Sequence, residues 1–160
     1  MLTDREFIEL LEDINSDELS LRVAAVKNLW RDPTADPRIL PYLEELLHDT
    51  TPCLLGIPYV FGEIRWLAAK ALAAERAVLG INQPVRTHVV KPVETREIIK
   101  AEQEARLEGQ WGVDGLLKNL AILRDDGYMP MIELELWPLG KPEMMPVLRP
   151  SSTQPVLVPA

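Results

Sequence analysis

Apolar residues in the first eighty positions recur every three or four residues, which is the spacing of one face of an α-helix. Thr3 and Glu6 have the spacing of a capping box, which satisfies backbone amides at a helix start. After a turn near residue 16, a second helix is predicted to run to about Trp30, and Asp36 with Pro37 has the pattern of a third helix start. The pattern predicts four helices, with apolar stripes at Phe7, Leu10, Leu11 and Ile14, at Leu40, Leu43, Leu46 and Leu47, and at Ile64, Leu67, Ala68, Ala71 and Leu72.

Two of these helices carry the same pattern of residues. The stretches "SLRVAAVKNL" (20–29) and "EIRWLAAKAL" (63–72) both contain R-x-x-A-x-x-x-L. The repeated residues are Arg22, Ala25 and Leu29 in the first copy and Arg65, Ala68 and Leu72 in the second. Small alanines at a helix crossing allow two helices to approach closely. Recurrence at a spacing near forty residues is typical of helical repeats, and it assigns these six positions a structural role.

The same two stretches resemble the second helix of HEAT repeats, particularly the type found in phycobilin lyases. The resemblance covers about residues 3–80. It implies an all-α fold, a short α-solenoid of stacked helix pairs. In such repeats an acid at the turn between the helices pairs with the motif arginine. By that resemblance, Asp17 would pair with Arg22, and Glu63 is the acid nearest to Arg65.

The second half of the chain has a different pattern. Residues 81–94 contain Pro84, Pro92 and β-branched residues, which predict an extended connector or an edge segment. Residues 95–107 and 113–124 have helical stripes, with Gly127 as a C-terminal cap of the second, and would form a degenerate third pair. "MIELELW" (131–137) alternates like a half-buried strand. Prolines then recur at Pro138, Pro142, Pro146, Pro150, Pro155 and Pro159, which predicts an extended tail.

The expected architecture is therefore a short HEAT-like α-solenoid of two clear helix pairs and a degenerate third, with a proline-rich C-terminal tail. Its predicted segments are 1–80, the two helix pairs; 81–94, the connector; 95–127, the capping pair; and 128–160, the tail with one short strand.

The charge balance narrows the classes of partner. The net charge is −8 and no run of basic residues is present, which argues against a nucleic-acid surface. No apolar stretch approaches the length of a membrane span. Acidic residues are spread through the first fourteen positions, where a secretory signal would have a basic segment followed by an apolar one. We therefore expect a cytoplasmic protein that binds no nucleic acid and has no membrane span.

Few residues carry candidate chemistry. Cys53 is the sole cysteine; it excludes an intrachain disulfide, and its apolar neighbours predict a buried side chain. His48 and His88 are forty residues apart and match no metal-ligand spacing. Carboxylate pairs, including Glu133 and Glu135, are typical of a solvated face. No phosphate-binding or nucleophile motif is present. We expect no catalytic residue, no metal and no cofactor.

The remaining signal is a set of aromatic and apolar residues in the loop 50–62, in the fourth helix and in the tail. They predict a non-catalytic protein-binding or scaffold module, a subunit or adaptor of a hetero-complex or homo-oligomer. The "MIELELW" strand would also be able to extend a partner's sheet. The alternative, implied by the resemblance, is a bilin-lyase-like or other chromophore-handling enzyme. The candidate partner-binding residues are Tyr59, Phe61, Trp66, Trp137, Met144, Met145, Leu148, Val156 and Leu157.

Overall fold

A computed structural model describes residues 1–56, 59–105, 112–139 and 147–150. Within these ranges the chain forms six α-helices, one 3₁₀ turn and six β-strands. The helices are α1 (Asp4–Ile14), α2 (Leu19–Arg31), α3 (Leu40–Leu46), α4 (Ile64–Val78), α5 (Thr95–Ala105) and α6 (Val113–Asp125), and the 3₁₀ turn is Pro37–Ile39. The strands are β1 (Pro52–Gly56), β2 (Val60–Glu63), β3 (Val85–Val90), β4 (Val93–Glu94), β5 (Met131–Leu136) and β6 (Val147–Pro150).

The prediction of an all-α solenoid is wrong, because the described chain is a mixed α/β fold with two antiparallel sheets. One sheet has the strand order β1-β2-β4 and the other β3-β5-β6. The loop 50–62 supplies the β1–β2 hairpin, and the connector 81–94 supplies β3 and β4. Strand pairing therefore joins segments that the sequence pattern treats as separate.

The predicted helices are present, and their signals act as expected. Thr3 and Glu6 form both hydrogen bonds of a capping box at the start of α1. Gly127, just after α6, adopts a φ of 82°, which confirms the predicted C-terminal cap. Helices α1 and α2 pack together, as do α3 and α4, and α2 also packs on α4.

Helix α4 is the centre of the fold. It contacts α2, α3 and strands of both sheets, and ten of its fifteen residues are buried. A helix buried on nearly all sides needs small or apolar residues around its whole circumference. The alanines of "IRWLAAKALAAERAV" meet that requirement and allow the strands to approach the helix closely.

A buried carboxylate of α4 fixes the loop between the first two helix pairs. Glu75 is fully buried and accepts hydrogen bonds from the Thr34 amide (2.6 Å), the Thr34 hydroxyl (2.9 Å) and the Ala35 amide (3.0 Å). Ala35 has a φ of 54°, in the left-handed region that costs energy for an alanine. The bonds to Glu75 hold the loop in this conformation.

The β1–β2 hairpin places Cys53 opposite Gly62. Cys53 is fully buried, as predicted, and burial raises the pKa of its thiol to about 12. A Cβ atom at Gly62 would collide with the side chain of Leu55. Glycine at this position therefore allows the close packing of the hairpin.

The second sheet corrects two predictions about "MIELELW". Strand β5 lies between β3 and β6, so both of its edges are already paired and it cannot extend a partner's sheet. Glu135 is buried and pairs with Arg86 (3.1 Å) and Arg149 (2.7 Å), so its predicted solvated position is also wrong. Arginines from the flanking strands allow this carboxylate to be covered.

Two apolar clusters make up the core. The larger one joins the first four helices to β3 and β5, with Val26, Leu67 and Leu134 at its centre. The smaller one lies where α5 and α6 cover the hairpin, and it contains Phe61 and Leu120. In the described ranges, no helix has the length and apolarity to span a membrane.

Asp36 gives the fold a specific acid sensitivity. Hydrogen bonds from the Arg38 side chain lower the pKa of Asp36 from 3.8 to about 2, and the Arg38 amide adds a further bond of 3.1 Å. A carboxyl with a lowered folded-state pKa stabilises the fold above its unfolded-state pKa, and this stabilisation is lost as the pH falls. We expect Asp36→Asn to lose less stability than the wild type when the pH falls from about 4 to about 2.

Urea unfolding at a series of pH values measures this difference. The stability gap between the two proteins should stay constant between about pH 5 and pH 7, because the Asp36 carboxyl is ionised there in both the folded and the unfolded state. Parallel stability curves below pH 4 would contradict the assignment.

Candidate functional site

The candidate site is a surface cleft between the second helix, the fourth helix and the β1–β2 hairpin. It has a volume of about 260 Å³ and is lined by Trp30, Leu55, Gly56, Val60, Trp66 and Pro92. We call these six residues the aromatic cleft. All six are apolar, and only the Leu55 side chain among them is buried.

Two tryptophans form one wall of the aromatic cleft. Trp30 lies in the last turn of α2 and Trp66 in the first turn of α4. Because these helices pack against each other, the two indole rings meet edge to face, with centroids 5.8 Å apart and planes at 89°. Such T-shaped pairs are a favoured arrangement of aromatic rings. Both tryptophans pack on the larger core and keep part of their surface exposed.

Lys70 adds a positive charge beside this wall. It follows Trp66 by one helical turn, and its Nζ lies 5.1 Å from the Trp66 ring centroid and 5.7 Å from that of Trp30. Burial lowers the pKa of Lys70. Both distances are within the range of cation–π attraction. The two rings of the wall therefore have an ammonium group close beside them, although Lys70 is not one of the six residues that line the cleft.

The hairpin separates two of the predicted partner-binding residues. Tyr59, in the turn, is 53% exposed. Phe61 is fully buried in the smaller core cluster, so it offers no surface to a partner. The two rings lie with centroids 6.5 Å apart and planes at 13°. Only Tyr59 of this pair remains a candidate for contact with another molecule.

The tail residues give less information. Trp137 follows β5 and is half-buried. Leu148 lies in β6, opposite Leu134 in the register. The other predicted partner-binding residues of the tail, Met144, Met145, Val156 and Leu157, lie outside the described residues.

The repeat positions are mostly in the interior. Ala25, Leu29, Ala68 and Leu72 are all buried. Arg22 pairs with Asp49 at 3.2 Å. The expected pairing of Arg22 with Asp17 is therefore wrong, and the partner comes from the turn between α3 and β1.

Arg65 pairs with Glu63 as expected, and Glu63 also accepts a hydrogen bond of 2.9 Å from Arg124 in α6. Arg124 donates a further bond of 2.6 Å to the Thr50 carbonyl. We call Glu63, Arg65 and Arg124 the charged junction. Since both carboxylate oxygens are bound by arginines, the junction fastens α6 to the start of α4. No sequence pattern around Arg124 indicates that it contacts Glu63.

In the described ranges, no group of three or more His, Cys, Asp or Glu side chains is placed to hold a metal ion. Comparisons with protein-family models, with curated proteins and with solved structures find no match to this chain. The resemblance of residues 3–80 to HEAT repeats, with the bilin chemistry that it implies, therefore stays a prediction.

Proposed function

We propose that this chain is a cytoplasmic, non-catalytic protein-binding module, and that its aromatic cleft takes an extended, proline-containing segment of a partner protein. The observation that carries the proposal is the edge-to-face pair of Trp30 and Trp66 with Lys70 beside it. The cleft adds Pro92 and the backbone of Gly56 to this pair.

Aromatic grooves are a recurrent way to bind proline-rich segments. Such segments lose little conformational entropy on binding, because proline already holds them in an extended helix. Tryptophans that are partly exposed and held by packing are typical anchors of protein interfaces. The two indole planes stand at 89° to each other, and aromatic surfaces of this kind are what proline-rich segments pack against.

Lys70 suggests the charge of the bound segment. Lys70 is half-buried, and an ammonium near a low-dielectric surface attracts an acid more strongly than one in open solvent. An acidic residue beside the proline of the partner would therefore add affinity.

The test is a calorimetric titration with two synthetic decapeptides. One alternates proline and valine between terminal glutamates, and the other has alanine in place of every proline. We expect binding of the first peptide only. Trp66→Ala should weaken that binding by about tenfold or more, as loss of an interface anchor does. Lys70→Gln, which removes a charge without opening a cavity, should also weaken it.

Val78→Ala is the matched control, because Val78 is an exposed apolar residue of the same helix, 52% exposed and outside the cleft. Its affinity should equal that of the wild type. Equal binding of both peptides by the wild type, or equal affinity of the wild type and of the Trp66→Ala and Lys70→Gln variants for the first peptide, would overturn the proposal. Truncation after Pro150 keeps every described strand and measures separately what residues 151–160 contribute to a complex.

A further inference from the structure

A second hollow lies between α2, β1 and α6, on residues that the aromatic cleft does not use. It is a groove of about 710 Å³, within the range of about 300–1,000 Å³ that is usual for small-molecule sites. Its lining residues include the apolar Leu19, Val23, Leu54, Val113 and Leu117, together with Lys27. We call it the Lys27 groove.

The walls of the Lys27 groove are suited to an apolar chain. Val23, Leu54 and Leu117 are each only partly buried, and Val113 is 39% exposed. Two of them, Leu54 and Leu117, pack on the smaller core, so they are held in place. Covering these side chains with a ligand would remove apolar surface from water.

Lys27 is the one cation that lines the groove in the described chain. It is half-buried and makes no hydrogen bond or ion pair with the residues that the structure describes. Burial lowers its pKa. The neighbouring Cys53 supplies no negative charge at neutral pH, because burial raises its thiol pKa to about 12. A partly desolvated ammonium group without a counter-charge favours an anionic ligand.

Two carboxylates also line the groove, and their positions leave the Lys27 end open to an anion. Glu18 lies nine residues before Lys27 at the start of α2, about 13 Å away along the helix axis. That is more than the distance of about 8 Å over which physiological salt screens a charge. Asp114 is exposed, so solvent weakens its field. Arg31, one turn beyond Lys27, adds positive charge at the same end.

We propose that the Lys27 groove binds a medium-chain fatty acid, or another straight-chain amphipathic carboxylate, with the carboxylate on Lys27 and the alkyl chain along Val23, Leu54 and Leu117. This site is separate from the aromatic cleft. Its occupation therefore does not depend on the proposed protein-binding function.

Calorimetry and methyl NMR with decanoate, decanol and decylamine test the proposal. Decanoate is expected to bind most tightly and to shift the methyl resonances of Leu54 and Leu117. Lys27→Gln should weaken decanoate binding by about tenfold or more, the usual effect of losing a charge-assisted hydrogen bond, and leave decanol binding unchanged. Ala24→Trp, which fills the groove from an exposed position, should abolish the binding of all three.

Lys118→Gln is the control, since Lys118 is exposed on α6 and does not line the groove; it should bind decanoate as the wild type does. Three results would each overturn the proposal: no decanoate binding, decylamine binding as tight as decanoate binding, or undiminished decanoate affinity in Lys27→Gln.

Discussion

Glu63→Gln is expected to reduce the free energy of unfolding by about 3–5 kcal/mol, which is the usual effect of removing one member of a buried ion pair. Glu63 is fully buried, and the side chains of Arg65 and Arg124 are only 10% and 16% exposed. Glutamine keeps the shape of the side chain but not its charge. Two arginines would then remain in the interior without the carboxylate that both of them contact.

Urea unfolding at neutral pH, followed by circular dichroism, measures this loss. Glu9→Gln is the matched control, because Glu9 also pairs with an arginine, Arg5, at 3.1 Å, but both side chains are well exposed. An exposed i,i+4 pair contributes about 0.3–0.5 kcal/mol. A loss below about 1 kcal/mol for Glu63→Gln would show that the charged junction does not hold α6 in place.

Phe61→Ala is expected to have an effect of similar size, about 3–5 kcal/mol, because it leaves a cavity in the smaller core cluster. Phe61 is the bulkiest residue of that cluster and packs among Val90, Val93, Ile98 and Leu120. The cluster is the apolar contact between the hairpin and the last two helices. Thermal unfolding should therefore shift clearly to lower temperature.

Tyr59→Ala is the control within the same hairpin. Its ring is more than half exposed, and its main contact is the stacking on Phe61, so we expect a loss of at most about 1 kcal/mol. If both variants were equally unstable, the assignment of Phe61 to the interior and Tyr59 to the surface would be wrong. Because Tyr59→Ala is expected to stay folded, this variant also tests whether Tyr59 contacts a partner.

The helices could be predicted because their signals are local. The capping box of Thr3 and Glu6, the apolar stripes and the glycine after α6 lie within one or two turns of the structure that they specify. The first sheet has no such signal. β1 reads "PCLLG", without the polar alternation that marks a half-buried strand.

The second sheet shows a different limit of prediction from sequence. The alternation in "MIELEL" indicates a strand, but not which of its faces is covered. Glu135 is buried because Arg86 and Arg149 come from two other strands, and β3 pairs with β5 across more than forty residues. Pairing over such distances depends on the whole fold.

The aromatic cleft could be anticipated only in part. Trp66 attracts attention as a large aromatic residue in a helix, but Trp30 occupies an ordinary position at the end of α2. The contact between Trp30 and Trp66 exists because α2 packs on α4. The pairing of Arg22 shows the same limit. The HEAT resemblance pairs Arg22 with Asp17, a neighbour in sequence, whereas its partner in the structure is Asp49, a neighbour in space.

The central position of β5 has a consequence for synthesis on the ribosome. α4 is complete by residue 78, but one of the strands that cover it, β5, begins only at residue 131. A nascent chain of intermediate length therefore carries an apolar helix whose cover has not yet emerged, together with an unpaired edge of β3. Such surfaces attract chaperones and promote aggregation. The last quarter of the chain thus determines when the first half reaches its native state.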